Sequence, residues 1–271
     1  SDPTQEYLLY IPKSVEADPR VLVLVHGLSR NAHEQATVFT SLCEERGVVA
    51  LVPIFTKELH KDYQRLGRRG RGPRVDLLLH RFLAECATLT GADPTQTFLF
   101  GFSAGAQFVH RYVLAHPHRV ARAAVAAAGW YTFPDHTQKF PYGTRPSRAL
   151  AGVTFNPEQF LRVPIEVLVG ELDTTNANLR RTDRADAQQG ATRLERARRW
   201  VAAMQDTAAA HGLPSLVALT EVPGIEHSFK DFCTQGGLVE HVDRALFVPS
   251  AATRTLSVVS DRDEAQNRAA V

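Results

Sequence analysis

Residues 99–112 read "LFGFSAGAQFVHRY". An apolar run ends, two glycines flank a serine, and a helix-forming stretch follows. Gly101-Phe102-Ser103-Ala104-Gly105 fits the pattern G-x-S-x-G between a strand and a helix. In that setting a strand turns sharply into a helix, and the central serine sits in a crowded, uncommon backbone conformation. The flanking positions need residues without bulk, because strand and helix backbones pass close by. The serine hydroxyl is raised at a helix N-terminus, whose free N–H groups favour developing negative charge. The competing reading is a tight packing turn that holds a polar residue.

Working outward, continuous apolar runs alternate with helical patterns. "VLVLVHG" (21–27) and "VVALVP" (48–53) read as buried strands, the first covered on both faces. "TFLFGF" (97–102), "PIEVLVG" (164–170) and "SLVALTEV" (215–222) read as further strands, and "VARAAVAAAGW" (120–130) as a core strand whose alanines would also suit a helix. "YLLYIP" (7–12) is an earlier strand. Helices are expected over 31–46, 75–91, 104–116 and 191–211, with a closing helix after Phe229. The alternation predicts an α/β fold with a mostly parallel, doubly wound sheet and helices on both faces. Residues 54–74 are polar and Gly-rich and read as a loop, and 131–163 as a loop excursion or small lid. One domain over 1–249 is expected, followed by a polar tail, 250–271, through which a homodimer is conceivable.

A serine hydroxyl is a weak nucleophile at neutral pH and needs a base with a group to orient it. "GELDTTN" supplies Asp173 just beyond a strand, where strand C-termini deliver side chains to a ligand face. Glu171, Asp183 and Asp186 are the competing acids. Among 11 histidines, only His227, in "VPGIEHSF", lies both after Asp173 and in a loop following a strand. The backbone N–H groups of Ala104 and Leu28 are the expected donors to an oxyanion. His26 reads as a packing residue beneath them.

With these motifs placed, the chain resembles the α/β-hydrolase superfamily over roughly residues 5–247. "VHGLSRNAHEQA", "GFSAGAQFVHRY" and "GELDTTN" look like its serine esterase and polyhydroxyalkanoate-depolymerase-like branch. The resemblance implies an α/β-hydrolase fold and a catalytic triad of Ser103, Asp173 and His227. It implies hydrolysis of a small or oligomeric carboxylic ester without a metal or an organic cofactor. The rival readings are cleavage of amides or polymer backbones by the same machinery, and a binding protein on the same fold.

Two arginine-rich stretches depart from the pattern. "YQRLGRRGRGPR" carries Arg68 and Arg69, and "LRRTDRADAQQG" carries Arg180 and Arg181. They read either as a solvated charged face, partly neutralised by Asp183 and Asp186, or as a basic rim for an anionic substrate. Trp130 and Tyr131 are expected either to wall an acyl pocket or to pack the excursion.

The 271 residues are 44% hydrophobic with a formal net charge of +2, enough for one sizeable core. That charge and the lack of an aromatic-interleaved basic motif argue against nucleic acid. No apolar run approaches the roughly 20 residues of a membrane span. Three cysteines, Cys43, Cys86 and Cys233, show no metal-ligand spacing. The first residues lack a signal pattern. A cytoplasmic location is therefore expected, with export after removal of a leader as the alternative.

Overall fold

The computed structural model describes residues 4–14, 19–67 and 72–248. Among them seven strands form one sheet in the order β1-β3-β2-β4-β5-β6-β7. They are β1 (Tyr7–Tyr10), β2 (Arg20–Val25), β3 (Val49–Pro53), β4 (Asp93–Phe102), β5 (Val120–Ala126), β6 (Ile165–Gly170) and β7 (Val217–Val222). All pairings are parallel except β1 with β3, so the chain has the α/β-hydrolase architecture expected. The central strands are buried on both faces, and this is why they read as continuous apolar runs rather than alternating ones.

Helices α1 (Ala32–Val38), α2 (Thr40–Arg46), α3 (Val75–Thr90), α4 (Ala104–Ala115), α5 (Pro157–Phe160), α6 (Asp183–Gln189), α7 (Arg193–Ala210), α8 (Phe229–Thr234) and α9 (Leu238–Phe247) cover the sheet. One core joins Val23, Val25, Leu79, Phe108, Tyr112 and Trp200; the other joins Leu22, Leu24, Phe39, Phe100, Phe232 and Val242. Residues of a single strand alternate between them, as the period of two requires.

The structure differs from the sequence expectation in several places. The helix expected over 31–46 is kinked at Phe39, whose fully buried ring packs on Phe100 at 4.9 Å. The closing helix is two helices, because Gly237 takes the left-handed conformation (φ 57°) between them. Strand β5 stops at Ala126, and Ala127 at φ 52° turns the chain away before Trp130. Helix α6 was not expected; the Thr182 side chain caps it by accepting from the Ala185 N–H at 3.1 Å.

The 54–74 stretch is not simply a surface loop. Phe55, Tyr63 and Leu66 are wholly buried. In the 131–163 excursion, Tyr131, Phe133, Phe140 and Phe155 join the core, so packing accounts for these aromatics. The polar tail, 250–271, lies outside the described residues.

Candidate active site

Ser103 stands between β4 and α4 with φ 55° and ψ −109°, a backbone region costly for any residue with a side chain. The neighbouring glycines have a measurable reason. A Cβ at Gly101 would lie 2.4 Å from the Gly105 carbonyl carbon, and one at Gly105 would lie 1.8 Å from the Val25 oxygen. No real Cβ tolerates such approaches. The end of β2, the end of β4 and the first turn of α4 thus cross at one point, and the serine is lifted above it.

His227 follows β7. Its Nε2 lies 3.2 Å from the Ser103 Oγ, and its Nδ1 lies 2.9 Å from the Asp173 Oδ2. The Phe102 ring stacks on the imidazole, with centroids 5.5 Å apart. The loop can come this close because Gly170 has no side chain: a Cβ there would meet the Ile225 oxygen at 2.1 Å. Asp173 is only 1% exposed. The competing acids do not reach the imidazole. Glu171 is exposed and accepts the Gly224 N–H, Asp183 is exposed, and Asp186 pairs with Arg181 and Arg196.

Sequence reasoning missed one residue here. Arg193, in the first turn of α7 and 3% exposed, donates from Nη1 to the Asp173 Oδ1 at 3.3 Å and from Nη2 to the Ala177 oxygen at 3.2 Å. The carboxylate therefore meets an arginine on one oxygen and the imidazole on the other, which fixes its plane. The only local signal was the Thr192 cap, and nothing in it points to an acid twenty positions earlier.

His26 has the packing place expected of it. It is fully buried, its Nδ1–H donates to the Gly27 oxygen at 2.8 Å, and its Nε2 accepts the Phe55 N–H at 3.0 Å. Burial lowers its pKa to about 4, so the ring is neutral and the tautomer agrees with both bonds. The Tyr63 hydroxyl donates to the His26 oxygen at 2.7 Å, and Arg30 donates to the Phe55 oxygen. The 54–74 stretch thereby buttresses the loop that carries Leu28. Among the described residues, neither the Leu28 nor the Ala104 N–H is given to a protein acceptor.

Ser103 opens on a cleft of about 330 Å³ lined by polar groups (Gln64, Gln107, Asn178), arginines (Arg65, Arg180, Arg193), Leu28 and Trp130. The expected substrate-binding residues divide. Trp130 and Arg180 line the cleft. Tyr131 does not: it lies in the core, fully buried, stacked on Trp200 at 4.9 Å, with its N–H donating to Gln189. Arg181 is drawn away from the cleft to Asp186, 3.0 Å distant. Arg68 and Arg69 lie outside the described residues.

A larger cavity, about 520 Å³, lies against α9 between Arg122, Glu166, Thr220 and Arg244 and includes none of Ser103, His227 or Asp173. Among the described residues no group of His, Cys, Asp and Glu is placed to hold a metal ion, and no helix is long and apolar enough to cross a membrane.

No protein-family model and no curated protein matches the chain. Among solved structures, it is 30% identical to the poly(3-hydroxybutyrate) depolymerase LpqC of Bordetella parapertussis, covering 92% of this chain and 86% of that one, with a TM-score of 0.73. The chain belongs to the esterase and polyhydroxyalkanoate-depolymerase-like branch of the α/β-hydrolases. A second member of this likeness is poly(aspartic acid) hydrolase-1 of Sphingomonas sp. KT-1, at 26% identity, 90% and 93% coverage and a TM-score of 0.73. An S-formylglutathione hydrolase of Agrobacterium tumefaciens shares the fold at 13% identity and a TM-score of 0.57. As an α/β-hydrolase of this branch, the chain is a hydrolase.

Proposed function

We propose that this protein is a serine hydrolase of carboxylic esters working through an acyl-enzyme. The observation that carries the reading is the unbroken chain from the Ser103 Oγ through His227 to Asp173, opening on a cleft. The Ser103 oxygen attacks the ester carbonyl while the His227 Nε2 takes its proton. The Leu28 and Ala104 N–H groups receive the oxyanion, each worth about 3 to 4 kcal/mol of transition-state stabilisation. Asp173 holds the imidazole by its Nδ1–H and stabilises the imidazolium. The C–O bond to the alcohol then breaks, and the imidazolium gives its proton to the leaving oxygen. Water, deprotonated by the same nitrogen, attacks the acyl-enzyme and releases the acid. This chemistry requires neither a metal nor an organic cofactor.

An organophosphate probe tests the reading. Wild-type protein is expected to be labelled and Ser103→Ala to resist labelling while keeping its fold by circular dichroism. An unlabelled, folded wild type would instead favour a binding protein. A second reading, cleavage of amide-linked polymers, is favoured by the likeness to a poly(aspartic acid) hydrolase. Matched ester and amide substrates separate the two.

A further inference from the structure

We propose that the cleft beside Ser103 contains a carboxylate-binding subsite, built from Arg180 on the Trp130 ring and backed by the buried Arg111 and Arg193, which selects esters carrying a free carboxylate. The proposal rests on the ester-hydrolase reading of Ser103 and names its substrate class.

Three guanidiniums surround Trp130. The carbons at their centres lie 4.4 Å (Arg111), 5.3 Å (Arg65) and 5.4 Å (Arg180) from the ring centroid. The ring itself lines the cleft together with Arg65, Arg180 and Arg193, and among the described residues no carboxylate lines it. Two of these cations have protein counter-ions: Arg193 pairs with Asp173 at 3.3 Å and Arg65 with Asp62 at 3.7 Å. Among the described residues, no ion pair within salt-bridge distance involves Arg111 or Arg180.

Arg111 is the more telling. It is fully buried, bonded to the Thr132 hydroxyl at 2.9 Å and to the Gln64 and Gln107 backbone oxygens, and its Nη2 has no partner among the described residues. A buried cation without an anion is unfavourable unless a counter-charge arrives. Burial pushes its pKa well down, and the charges of Arg65 and Arg180 add to that. Arg193 adds a second sign: 3% exposed and lining the cleft, it leaves its Nε without a partner among the described residues. Arg180 is exposed at the rim and can offer its planar fork to a carboxylate, while the π-face of Trp130 holds the guanidinium. Low-dielectric walls concentrate this field in the cleft that Ser103 shares.

The test compares 4-nitrophenyl hydrogen glutarate with its neutral methyl-capped counterpart. The expected kcat/KM for the anion is at least about tenfold higher, mostly through KM, and the advantage shrinks with added salt. Arg180→Gln is expected to cut the anionic ester's kcat/KM about fivefold or more beyond any loss on the neutral one, with Arg180→Lys recovering part. Equal kcat/KM for the two esters in the wild type, or a ratio unchanged in Arg180→Gln, would overturn the subsite while leaving the esterase reading intact. If the wild type hydrolyses neither ester, the esterase reading fails separately. The subsite is then judged on Ser103→Ala by quenching of tryptophan fluorescence, where tighter binding of the anionic ester supports it and equal or weaker binding overturns it.

Discussion

Among the described residues two groups join a histidine, a buried aspartate and an arginine, and at short range they are near copies. His227 lies 2.9 Å from one oxygen of Asp173, and Arg193 lies 3.3 Å from the other. His116 lies 2.8 Å from one oxygen of Asp76, and Arg74 holds both oxygens at 2.5 and 2.8 Å. Each aspartate side chain is fully buried. The difference is in what surrounds the imidazole. His227 presents its other nitrogen to a serine at a cleft, from a loop at the C-terminal edge of the sheet. The His116 ring is flanked by His80 and Tyr112, at 4.7 and 5.0 Å, and it rivets the end of α4 to the first turn of α3. The pairing alone carries no function. What separates the two is topology, which delivers a hydroxyl and an opening to only one of them and leaves the other as a clamp.

The strongest way to break this comparison is to remove each imidazole in turn. His227→Ala is expected to lower kcat on an ester by about 10⁴-fold or more, because the serine loses its base. His116→Ala is expected to leave turnover within about twofold and to cost about 3 kcal/mol of stability, since it breaks a buried pair. Turnover assays and urea melts read both. A comparable loss of turnover in His116→Ala would end the distinction.

Acid should act on the clamp in two steps. Burial, then the nearby His116 and Arg119 charges, lower the His80 pKa to about 4. An unfolded histidine titrates near 6.5, so on acidification the unfolded chain takes the proton first. Stability from this group is whole above that value and drains as pH falls towards 4. Burial alone would raise the Asp76 carboxyl, but the hydrogen bonds from Arg74 and His116 outweigh it and hold it at about 2. Its contribution, about 2 to 3 kcal/mol, is present above the unfolded value near 3.9 and lost as pH falls through 2. Urea midpoints measured from pH 7 downwards should follow both arms, with His80→Leu flattening the upper and Asp76→Asn the lower.

The smallest expected effect sharpens the comparison rather than breaking it. Arg193→Gln is expected to reduce kcat about 10- to 100-fold by letting the Asp173 plane and the imidazole drift, with Arg193→Lys recovering part. Arg74→Gln, the matching change in the clamp, should leave kcat unaltered. Equal kinetics in Arg193→Gln and wild type would make Arg193 a packing residue only.

The elbow, the buried strands and the order of acid and histidine were legible because each is written locally. Glycines mark where backbones cross, and apolar runs mark strands covered on both faces. What escaped reading depends on contacts between distant residues. Arg193 meets Asp173 only because α7 packs beside the end of β6. Trp130 and Tyr131 are neighbours of similar chemistry, and nothing local in the sequence says which of them faces the cleft. Phe55, Tyr63 and Leu66 were hidden in a polar stretch with no period. The paired glycines at 236–237 were visible, and a break between α8 and α9 could have been read from them.

The serine and the imidazole that meets it are 124 residues apart in the chain, and the second arrives only with the last strand of the sheet. Contacts of such span are slow to form. During refolding, recovery of probe reactivity should therefore trail the return of helical signal, which makes covalent labelling a clock for docking of the C-terminal edge.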